Sequence, residues 1–275
     1  MAGHLVASGC DTTVYNRTPQ KLAHWQQSNQ AKIATSPGEV AANAEFVISC
    51  VGNDDDLREI TLGANGALES MGGGAIFIDH STTSANVARE IAEHATRHGV
   101  FFIDAPVSGG QVGAERGALT VMCGGELSAF ERAKPVISSY AKACTLMGPV
   151  GAGQLTKMVN QICIAGLLQG LAEGLNFGLQ AGLEMDTVIE VISKGAAQSW
   201  QLENRAKTMC QDEFDFGFAV DLMRKDLGIV MAEAQQQNAS LPVTELVDTF
   251  YSQLQTQGHN RADTSSLIKL LRATT

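Results

Sequence analysis

Residues 45–51 read EFVISCV, and this short run decides the fold class. Its centre is continuously apolar, which is typical of a strand that is covered on both faces of a sheet. Runs of similar composition alternate with helical patterns through the first half of the chain; the predicted strands are Thr12–Tyr15, Phe46–Val51, Ala75–Ile78 and Val100–Ile103. Such alternation predicts βαβ units and a parallel sheet.

The pattern changes after residues 148–153, which read GPVGAG. The remainder predicts helices with almost no strand signal. We therefore expect an α/β domain over residues 1–152 and an all-helical domain over residues 153–275. The first helix of the second part is predicted from Leu155 to about Gly182, and it would span about 40 Å at 1.5 Å per residue. Helices of that length usually connect domains or lie at an interface.

The long helix carries glycines at a strict spacing of four, namely Gly166, Gly170, Gly174, Gly178 and Gly182. This spacing places them near one face, and each lowers helix propensity by up to ~1 kcal/mol relative to alanine. Close approach of another helix would offset that loss. The pattern fits packing within the chain and the interface of a homodimer or homotetramer equally well.

The composition limits the class of protein. The 275 residues carry a formal net charge of −10, with 44% hydrophobic and 17% charged residues, which is typical of a soluble globular protein. Such a charge leaves no basic surface for nucleic acid. The cysteines lack the C-x-x-C spacing of zinc sites and redox pairs. Reduced thiols, the lack of a recognisable secretory signal and the polar residues of the long helix predict a cytoplasmic protein without a membrane partner.

The chain opens with a helical segment, residues 1–9, and the first predicted strand follows it at Thr12. A dinucleotide-binding βαβ unit begins with a strand and a G-x-G-x-x-G turn, which places the pyrophosphate at the helix amino terminus. The sequence therefore predicts a unit that starts after its glycine turn.

Two stretches of this region resemble the early part of β-hydroxyacid dehydrogenases: Met1-Ala2-x-x-Leu5 and residues 14–18, VYNRT. That family includes 3-hydroxyisobutyrate dehydrogenase and the tartronate, glyoxylate and succinic semialdehyde reductases. The resemblance implies a Rossmann-like doubly wound sheet, here truncated at the amino terminus, followed by an all-α domain with a long interdomain helix. It also implies an NAD(P)-dependent oxidoreductase that acts on a small 3-hydroxy acid or semialdehyde. Without the first strand and turn, either the start is wrongly assigned or cofactor binding is impaired, which would leave a binding or scaffold protein.

The end of the first predicted strand indicates which dinucleotide is bound. NAD-specific proteins place an acidic residue there for the ribose 2′-hydroxyl, whereas an arginine accommodates a 2′-phosphate. Arg17 stands at this position between Asn16 and Thr18. We therefore predict NADP(H) as the cofactor, with NAD(H) as the alternative.

Further cofactor contacts are implied by the family resemblance. They are Val51, Gly52 and Asn53 after one strand, Thr82 after the next, and Lys225 in a late motif. Asn53 and Ser81 could also cap the helices that follow them, and a residue can fill both roles. Lys225 could equally be a surface residue that pairs with Asp221 or Asp226.

A glycine-rich stretch after the last predicted strand resembles the family's substrate-binding signature; residues 104–114 read DAPVSGGQVGA. In it, Ser108 is followed by Gly109 and Gly110. Glycine lacks the Cβ that would keep backbone N–H groups away from a small anion. A substrate carboxylate therefore fits this turn, although a glycine-rich hairpin turn without a ligand would show the same pattern.

The predicted catalytic group lies at the start of the long helix. Lys157 follows Gly151-x-Gly153, and Asn160 and Gln161 come three and four residues later on the same face. Burial in an apolar helix would lower the pKa of the lysine, as a general acid near neutral pH requires. A lone lysine more often extends to solvent. Because the family places its catalytic lysine in this glycine context, we predict that Lys157 is catalytic and that Asn160 and Gln161 bind substrate.

Two other clusters fit a metal poorly, and we predict no metal. His94 and His98 lie four residues apart without the glutamate of the H-E-x-x-H pattern. The acidic run at residues 54–56 suits the start of a helix. A 6-phosphogluconate enzyme has similar motifs, but the helical part of this chain is short for that type and lacks an evident cluster of basic residues for a phosphate.

Overall fold

The computed structural model describes residues 1–272, and the chain divides into two compact units. The first unit comprises residues 1–157, and the second begins at Met158. The sequence predicted a division at residue 152. In the structure the division falls inside one continuous helix, Ala152–Gln180.

The first unit alternates helices with short strands. In chain order its elements are α1 Ala2–Ala7, β1 Thr13–Val14, α2 Pro19–Gln26, β2 Lys32–Ile33, α3 Pro37–Ala41, β3 Phe46–Ser49, α4 Asp54–Leu62, β4 Ile76–Asp79, α5 Ala85–Arg97, β5 Phe101–Asp104, β6 Val107–Ser108, α6 Gly110–Glu115, β7 Leu119–Gly124, α7 Leu127–Ile137 and β8 Ala141–Gly148. The predicted strands are confirmed as β1, β3, β4 and β5. The sequence analysis missed β2 and β6, which have two residues each, and also the longer strands β7 and β8. In β8, only Thr145 is β-branched, so its composition favours a strand weakly.

Among residues 1–272, β3 to β8 form one six-stranded sheet in the order β3-β4-β5-β7-β6, with β8 paired to β7. The strands β3, β4 and β5 run parallel, as predicted, whereas β7 is antiparallel to β5 and β6 and parallel to β8. The strands β1 and β2 pair in parallel as a separate sheet.

Helices cover both faces of the larger sheet. Phe77 of β4 packs in one buried cluster with Ile91 of α5, whereas its neighbours Ile76 and Ile78 belong to a second cluster with Ile137 of α7. Because successive side chains of a strand point to opposite faces, the two clusters lie on opposite sides of the sheet. The first unit is therefore a Rossmann-like, doubly wound α/β sheet.

The second unit is helical. It contains most of α8 Ala152–Gln180, then α9 Met185–Ile192, α10 Trp200–Gln211, α11 Val220–Gln237 and α12 Pro242–Thr256, with a 3-10 helix at Thr264–Leu271. Its core includes Ala165, Leu168, Ala172 and Leu175 of α8. Among the described residues, α8 is long and apolar enough to cross a membrane, and 33% of its most apolar 18-residue stretch is buried. A core helix of a soluble protein passes the same test.

The glycines of α8 differ in their surroundings. A Cβ on Gly166 would lie 3.7 Å from Val243, and one on Gly178 would lie 2.7 Å from the sulfur of Met185, so these two pack within the unit. Apart from the adjoining backbone of α8 itself and the neighbouring residues in the chain, nothing that the structure describes lies within 4 Å of a Cβ at Gly170 or Gly174. Gly182 lies past the end of the helix with a φ of 71°.

Candidate active site

The carboxyl ends of three parallel strands bring polar side chains to one edge of the sheet. Ser49, Asp79 and Asp104 end β3, β4 and β5, lie side by side in the register and are buried. Open α/β sheets bind ligands at this edge. The two acids were missed by the sequence analysis, although Ile-Asp at the end of two buried strands was an available signal, because a buried carboxylate needs partners.

Asp79 organises the loops after β3 and β4. Its Oδ1 accepts hydrogen bonds from Ser49 Oγ at 2.7 Å and from Ser81 Oγ at 2.6 Å. Ser81 Oγ in turn accepts one from the backbone N–H of Val51 at 2.8 Å. Ser81 therefore does not cap α5, because Ser84 occupies that position. Its role is to join the two loops.

Arg17, one of the predicted cofactor residues, lies against the loop after β3. Its Nη1 donates to Asp56 Oδ1 at 2.9 Å, and Asp56 Oδ2 accepts the N–H of Gly52 at 3.2 Å. Asn53 caps α4 by accepting the N–H of Asp56 at 2.8 Å. The Arg17 side chain remains 82% exposed. The structure therefore brings Arg17, Gly52 and Asn53 together.

The other two residues of the β1 strand end form a local turn. Asn16 Oδ1 accepts the backbone N–H of Thr18 at 2.9 Å. This bond sets the direction in which the chain leaves β1, immediately around Arg17.

The predicted substrate turn follows β6. Ser108 is half-buried and pairs with Thr120 of β7. Gly109 and Gly110 have φ values of 130° and 60°, a region that residues with a Cβ rarely adopt. The backbone therefore requires glycine after Ser108, as an anion-binding turn would, and the contact with substrate stays a prediction.

His80 joins the β4 end to the chain that leads into this turn. A carbonyl only accepts hydrogen bonds, so Nδ1–H donates to the carbonyl of Ala105 at 2.6 Å, and Nε2 accepts from the Tyr140 hydroxyl at 2.8 Å. Burial lowers the pKa of His80 to about 4. The imidazole is therefore neutral near pH 7. Neither His80 nor Tyr140 was predicted, although a histidine directly after a buried strand was visible in the sequence.

Asp104 holds the start of α8. Its Oδ1 accepts the N–H of Gly151 at 2.7 Å, and its Oδ2 accepts the N–H of Gln154 at 2.9 Å. Burial raises the pKa of Asp104 to about 6, although these hydrogen bonds act in the opposite direction. A Cβ on Gly153 would collide with the carbonyl oxygens of Met122 and Asp104. Close packing of the helix start on β5 and β7 thus explains Gly153, whereas Gly151 has a φ of 93°, which favours glycine.

Lys157 lies on α8 one turn after Gln154, and it is 8% exposed. The buried position expected for this lysine is confirmed. Its catalytic role stays a prediction.

The residues predicted on the next turn of α8 contact each other and α11. Asn160 Nδ2 donates to Gln161 Oε1 at 2.8 Å, and Gln161 Nε2 donates to Asp226 Oδ2 at 2.7 Å. Lys225 Nζ lies 2.8 Å from Asp226 Oδ1, with the lysine side chain 25% exposed. Lys225 therefore pairs with Asp226, one of the two acids considered as its partner in the sequence analysis. A contact between Lys225 and the cofactor stays a prediction.

Two protein-family models together match nearly the whole chain. Residues 1–148 match the NAD binding domain of 6-phosphogluconate dehydrogenase, and residues 151–271 match the model described as NAD-binding of NADP-dependent 3-hydroxyisobutyrate dehydrogenase. The chain belongs to the β-hydroxyacid dehydrogenase family. It is an NAD(P)-dependent oxidoreductase, and its helical part matches the 3-hydroxyisobutyrate type.

Individual members of the family are similar over the same length. An uncharacterized oxidoreductase of Shewanella frigidimarina is 59% identical over 98% of this chain and 93% of its own length. A probable 3-hydroxyisobutyrate dehydrogenase-like protein of Arabidopsis thaliana is 37% identical over 98% of this chain and 81% of its own. The crystal structure of 3-hydroxyisobutyrate dehydrogenase from Salmonella typhimurium superposes with a TM-score of 0.87 at 30% identity, covering 98% of this chain and 94% of the other. The fold of a Rossmann-like sheet followed by helices is confirmed.

Proposed function

We propose that this dehydrogenase transfers a hydride between NADP(H) and a small 3-hydroxy acid or its semialdehyde, with Lys157 as general acid and base. The observation that carries the proposal is the buried Lys157 side chain on a helix whose first turn is fixed by Asp104. When hydride reaches a carbonyl carbon, negative charge develops on the oxygen. An ammonium group within hydrogen-bond reach stabilises that charge and delivers the proton. In alcohol oxidation the neutral amine accepts the hydroxyl proton.

The substrate carboxylate is proposed to bind at Ser108, Gly109 and Gly110, where a hydroxyl and backbone N–H groups can converge on an anion. On α8, Asn160 is the better candidate than Gln161 for a substrate contact. Gln161 is 2% exposed, and both polar ends of its amide are engaged, one by Asn160 and the other by Asp226. Asn160 is more exposed.

The groups at the strand ends fit a nicotinamide dinucleotide phosphate. Arg17 offers a largely exposed guanidinium, whose planar donors match a 2′-phosphate. Thr83 Oγ1 is a buried hydroxyl without a hydrogen-bond partner within residues 1–272, and it adjoins Thr82, the predicted cofactor contact. When bound, the dinucleotide supplies the hydride. The ion pair of Arg17 with Asp56 keeps the guanidinium beside the Val51-Gly52-Asn53 loop.

We also infer that the enzyme forms a homo-oligomer through α8 in a reducing cytoplasm. Val159 is 60% exposed and Phe177 is 72% exposed, and Gly170 and Gly174 face open space in the described chain. The same helix of a second copy would cover these apolar groups. No disulfide joins the cysteines of residues 1–272, as is usual in the cytoplasm.

A substrate panel tests the proposed reaction. Small aldehydes with and without a carboxylate are offered with NADPH and, separately, with NADH, and cofactor oxidation is followed for the wild type, Lys157→Ala and Lys134→Ala. The last variant removes an exposed lysine of the same unit. We expect turnover of carboxylate-bearing aldehydes by the wild type and Lys134→Ala, and its loss in Lys157→Ala. A wild type that reduces no carboxylate-bearing aldehyde with either dinucleotide would contradict the proposal.

A further inference from the structure

Gln154 connects two parts of the first unit that act together in the proposed reaction. Its side chain is 1% exposed and lies three residues before Lys157. Its Oε1 accepts the backbone N–H of Thr83 at 3.1 Å, and its Nε2 donates to the carbonyl of Ser81 at 2.8 Å. One amide group therefore holds the peptide groups on both sides of Thr82.

The hydrogen bonds continue in both directions from Gln154. Its own backbone N–H donates to Asp104 at the end of β5, over 2.9 Å. Ser81, at the other end, is fixed by Asp79 and by the N–H of Val51. A continuous chain of hydrogen bonds thus leads from the loop after β3, through residues 80–84, to the helical turn that carries Lys157. We call residues 80–84 the Thr82 loop.

A buried glutamine is costly unless both ends of its amide are satisfied, and a leucine of similar size would fill the same space without that cost. The amide is suited to this place because it presents an acceptor and a donor at a fixed separation. It is also uncharged, so it adds no further charge to a helical turn whose backbone is already bound to the buried acid Asp104. Packing alone therefore does not account for the residue type.

We propose that Gln154 is a positioning residue. It fixes the Thr82 loop, which contains the predicted cofactor contact Thr82, relative to the proposed proton donor Lys157. The inference rests on the proposed function. Hydride and proton must reach the carbon and the oxygen of one carbonyl group, which are about 1.2 Å apart. Their donors must therefore keep their mutual placement within about 0.5 Å, and a misplacement of about 1 Å costs on the order of 10²-fold in rate.

The main test compares Gln154→Leu with the matched control Gln169→Leu. Gln169 is a buried glutamine on the same helix, and its side chain binds only within that helix in the contacts described, at Glu173 over 2.8 Å. We expect Gln154→Leu to lower kcat by roughly 10 to 10²-fold, with KM for the aldehyde changed by less than about threefold because the substrate contacts remain. The deuterium isotope effect on kcat with NADPH deuterated at C4 should increase, because hydride transfer becomes the slow step. Gln169→Leu should change none of these.

Gln154→Glu provides a second variant in case Gln154→Leu folds poorly. A protonated glutamic acid again offers one acceptor and one donor, whereas the carboxylate lacks the donor that the carbonyl of Ser81 needs. The ratio of its kcat to that of the wild type should therefore rise as the pH falls. The neighbouring His80 is neutral over the assay range because its pKa lies near 4.

A readout without turnover completes the design. Amide hydrogen exchange of residues 80–84 and 151–157 should be faster in Gln154→Leu than in the wild type and Gln169→Leu. If Gln154→Leu keeps the kcat and the isotope effect of the wild type while Lys157→Ala is inactive, the inference about Gln154 is overturned and the proposed function is not. A fully active Lys157→Ala would overturn the proposed role of the lysine and with it the inference. Reduced kcat in both variants with faster exchange supports both.

Discussion

Gln161 Nε2 donates a hydrogen bond to Asp226 Oδ2 over 2.7 Å, and both side chains are almost fully buried in the second unit. Lys225 Nζ lies 2.8 Å from the other carboxylate oxygen. A single acid on α11 therefore serves as acceptor for a buried amide of α8 and for its own neighbouring lysine. Removing this acid takes an acceptor away from both groups in a place where water cannot fully replace it.

We expect Asp226→Leu to lower the free energy of unfolding by about 2–4 kcal/mol, the range for a buried charge partner that is removed. Urea unfolding followed by circular dichroism measures this change. The control is Glu190→Gln, which removes the ion pair with Lys194, where both side chains are 71% exposed. This substitution should lower the free energy of unfolding by less than about 0.5 kcal/mol. Equal effects of the two substitutions would show that the Asp226 contacts contribute little.

Lys157→Ala should lower kcat by roughly 10² to 10⁴-fold, the usual range for loss of a general acid. The dissociation constant of NADPH, measured by calorimetry, should stay near that of the wild type, because the lysine is assigned to the substrate. Lys157→Arg should not restore turnover, since a guanidinium stays protonated and cannot act as the base. Near-normal kcat in either variant would transfer the role to another residue, with Lys225 the first to test.

Arg17→Ala should reduce kcat/KM for NADPH much more than for NADH, because only the phosphorylated cofactor needs the guanidinium. The measurement is the ratio of kcat/KM for the two cofactors in the wild type and the variant. Arg97→Ala, which removes an exposed arginine from α5 of the same unit, is the control and should leave the ratio unchanged. A wild type that uses the two cofactors equally would contradict the prediction.

The pH dependence of stability should separate Asp104 from His80. Burial raises the pKa of Asp104 from 3.8 to about 6, so the folded chain binds more protons than the unfolded chain and this acid lowers stability as the pH rises from about 4 to 6. The size of the loss is on the order of 3 kcal/mol. His80, with its pKa lowered from 6.5 to about 4, acts in the opposite direction over nearly the same window.

In the wild type these two contributions should largely cancel. In Asp104→Asn only the histidine contribution remains, so the free energy of unfolding should rise with pH between about 4 and 6.5. Urea unfolding at several pH values across this window compares the two proteins. Parallel pH curves for the wild type and the variant would show that Asp104 titrates at its ordinary pKa.

Gly170→Ala and Gly174→Ala should each stabilise an isolated chain by up to about 1 kcal/mol, because alanine is the better helix former and a Cβ at these positions meets open space. If α8 packs against a second copy, the added methyl groups should instead weaken association, which sedimentation velocity detects. Gly178→Ala is the control for packing within the chain, because Met185 lies in the way. If a variant with both Gly170→Ala and Gly174→Ala associates as the wild type does, the interface between copies does not involve this face of α8.

The sequence predicted the parts of the fold that follow from periodic apolar residues. The strands β3, β4 and β5 and the long helix were predicted because continuous apolar runs in strands and helically spaced apolar residues leave a clear pattern in the sequence. The pairing of β6, β7 and β8 was not, since it depends on long-range register rather than on local composition.

The candidate site was predictable to a different extent. Lys157 and the Ser108 turn were predicted because each lies in a short sequence motif that resembles one of the family. The residues that hold them in place, Asp104, Gln154 and His80, act through hydrogen bonds to backbone groups far away in sequence. Such bonds have no fixed spacing along the chain, so no pattern in one dimension reveals them.

The tight packing of Gly153 has a consequence for directed evolution of this enzyme. The atoms that exclude a side chain there are backbone carbonyl oxygens of Met122 and Asp104, so no repacking of neighbouring side chains can make room. A saturation library at this codon should return glycine alone among its active clones. Libraries that aim to broaden the range of accepted aldehydes should instead vary positions that are surrounded by side chains, because neighbouring side chains can repack around a new residue.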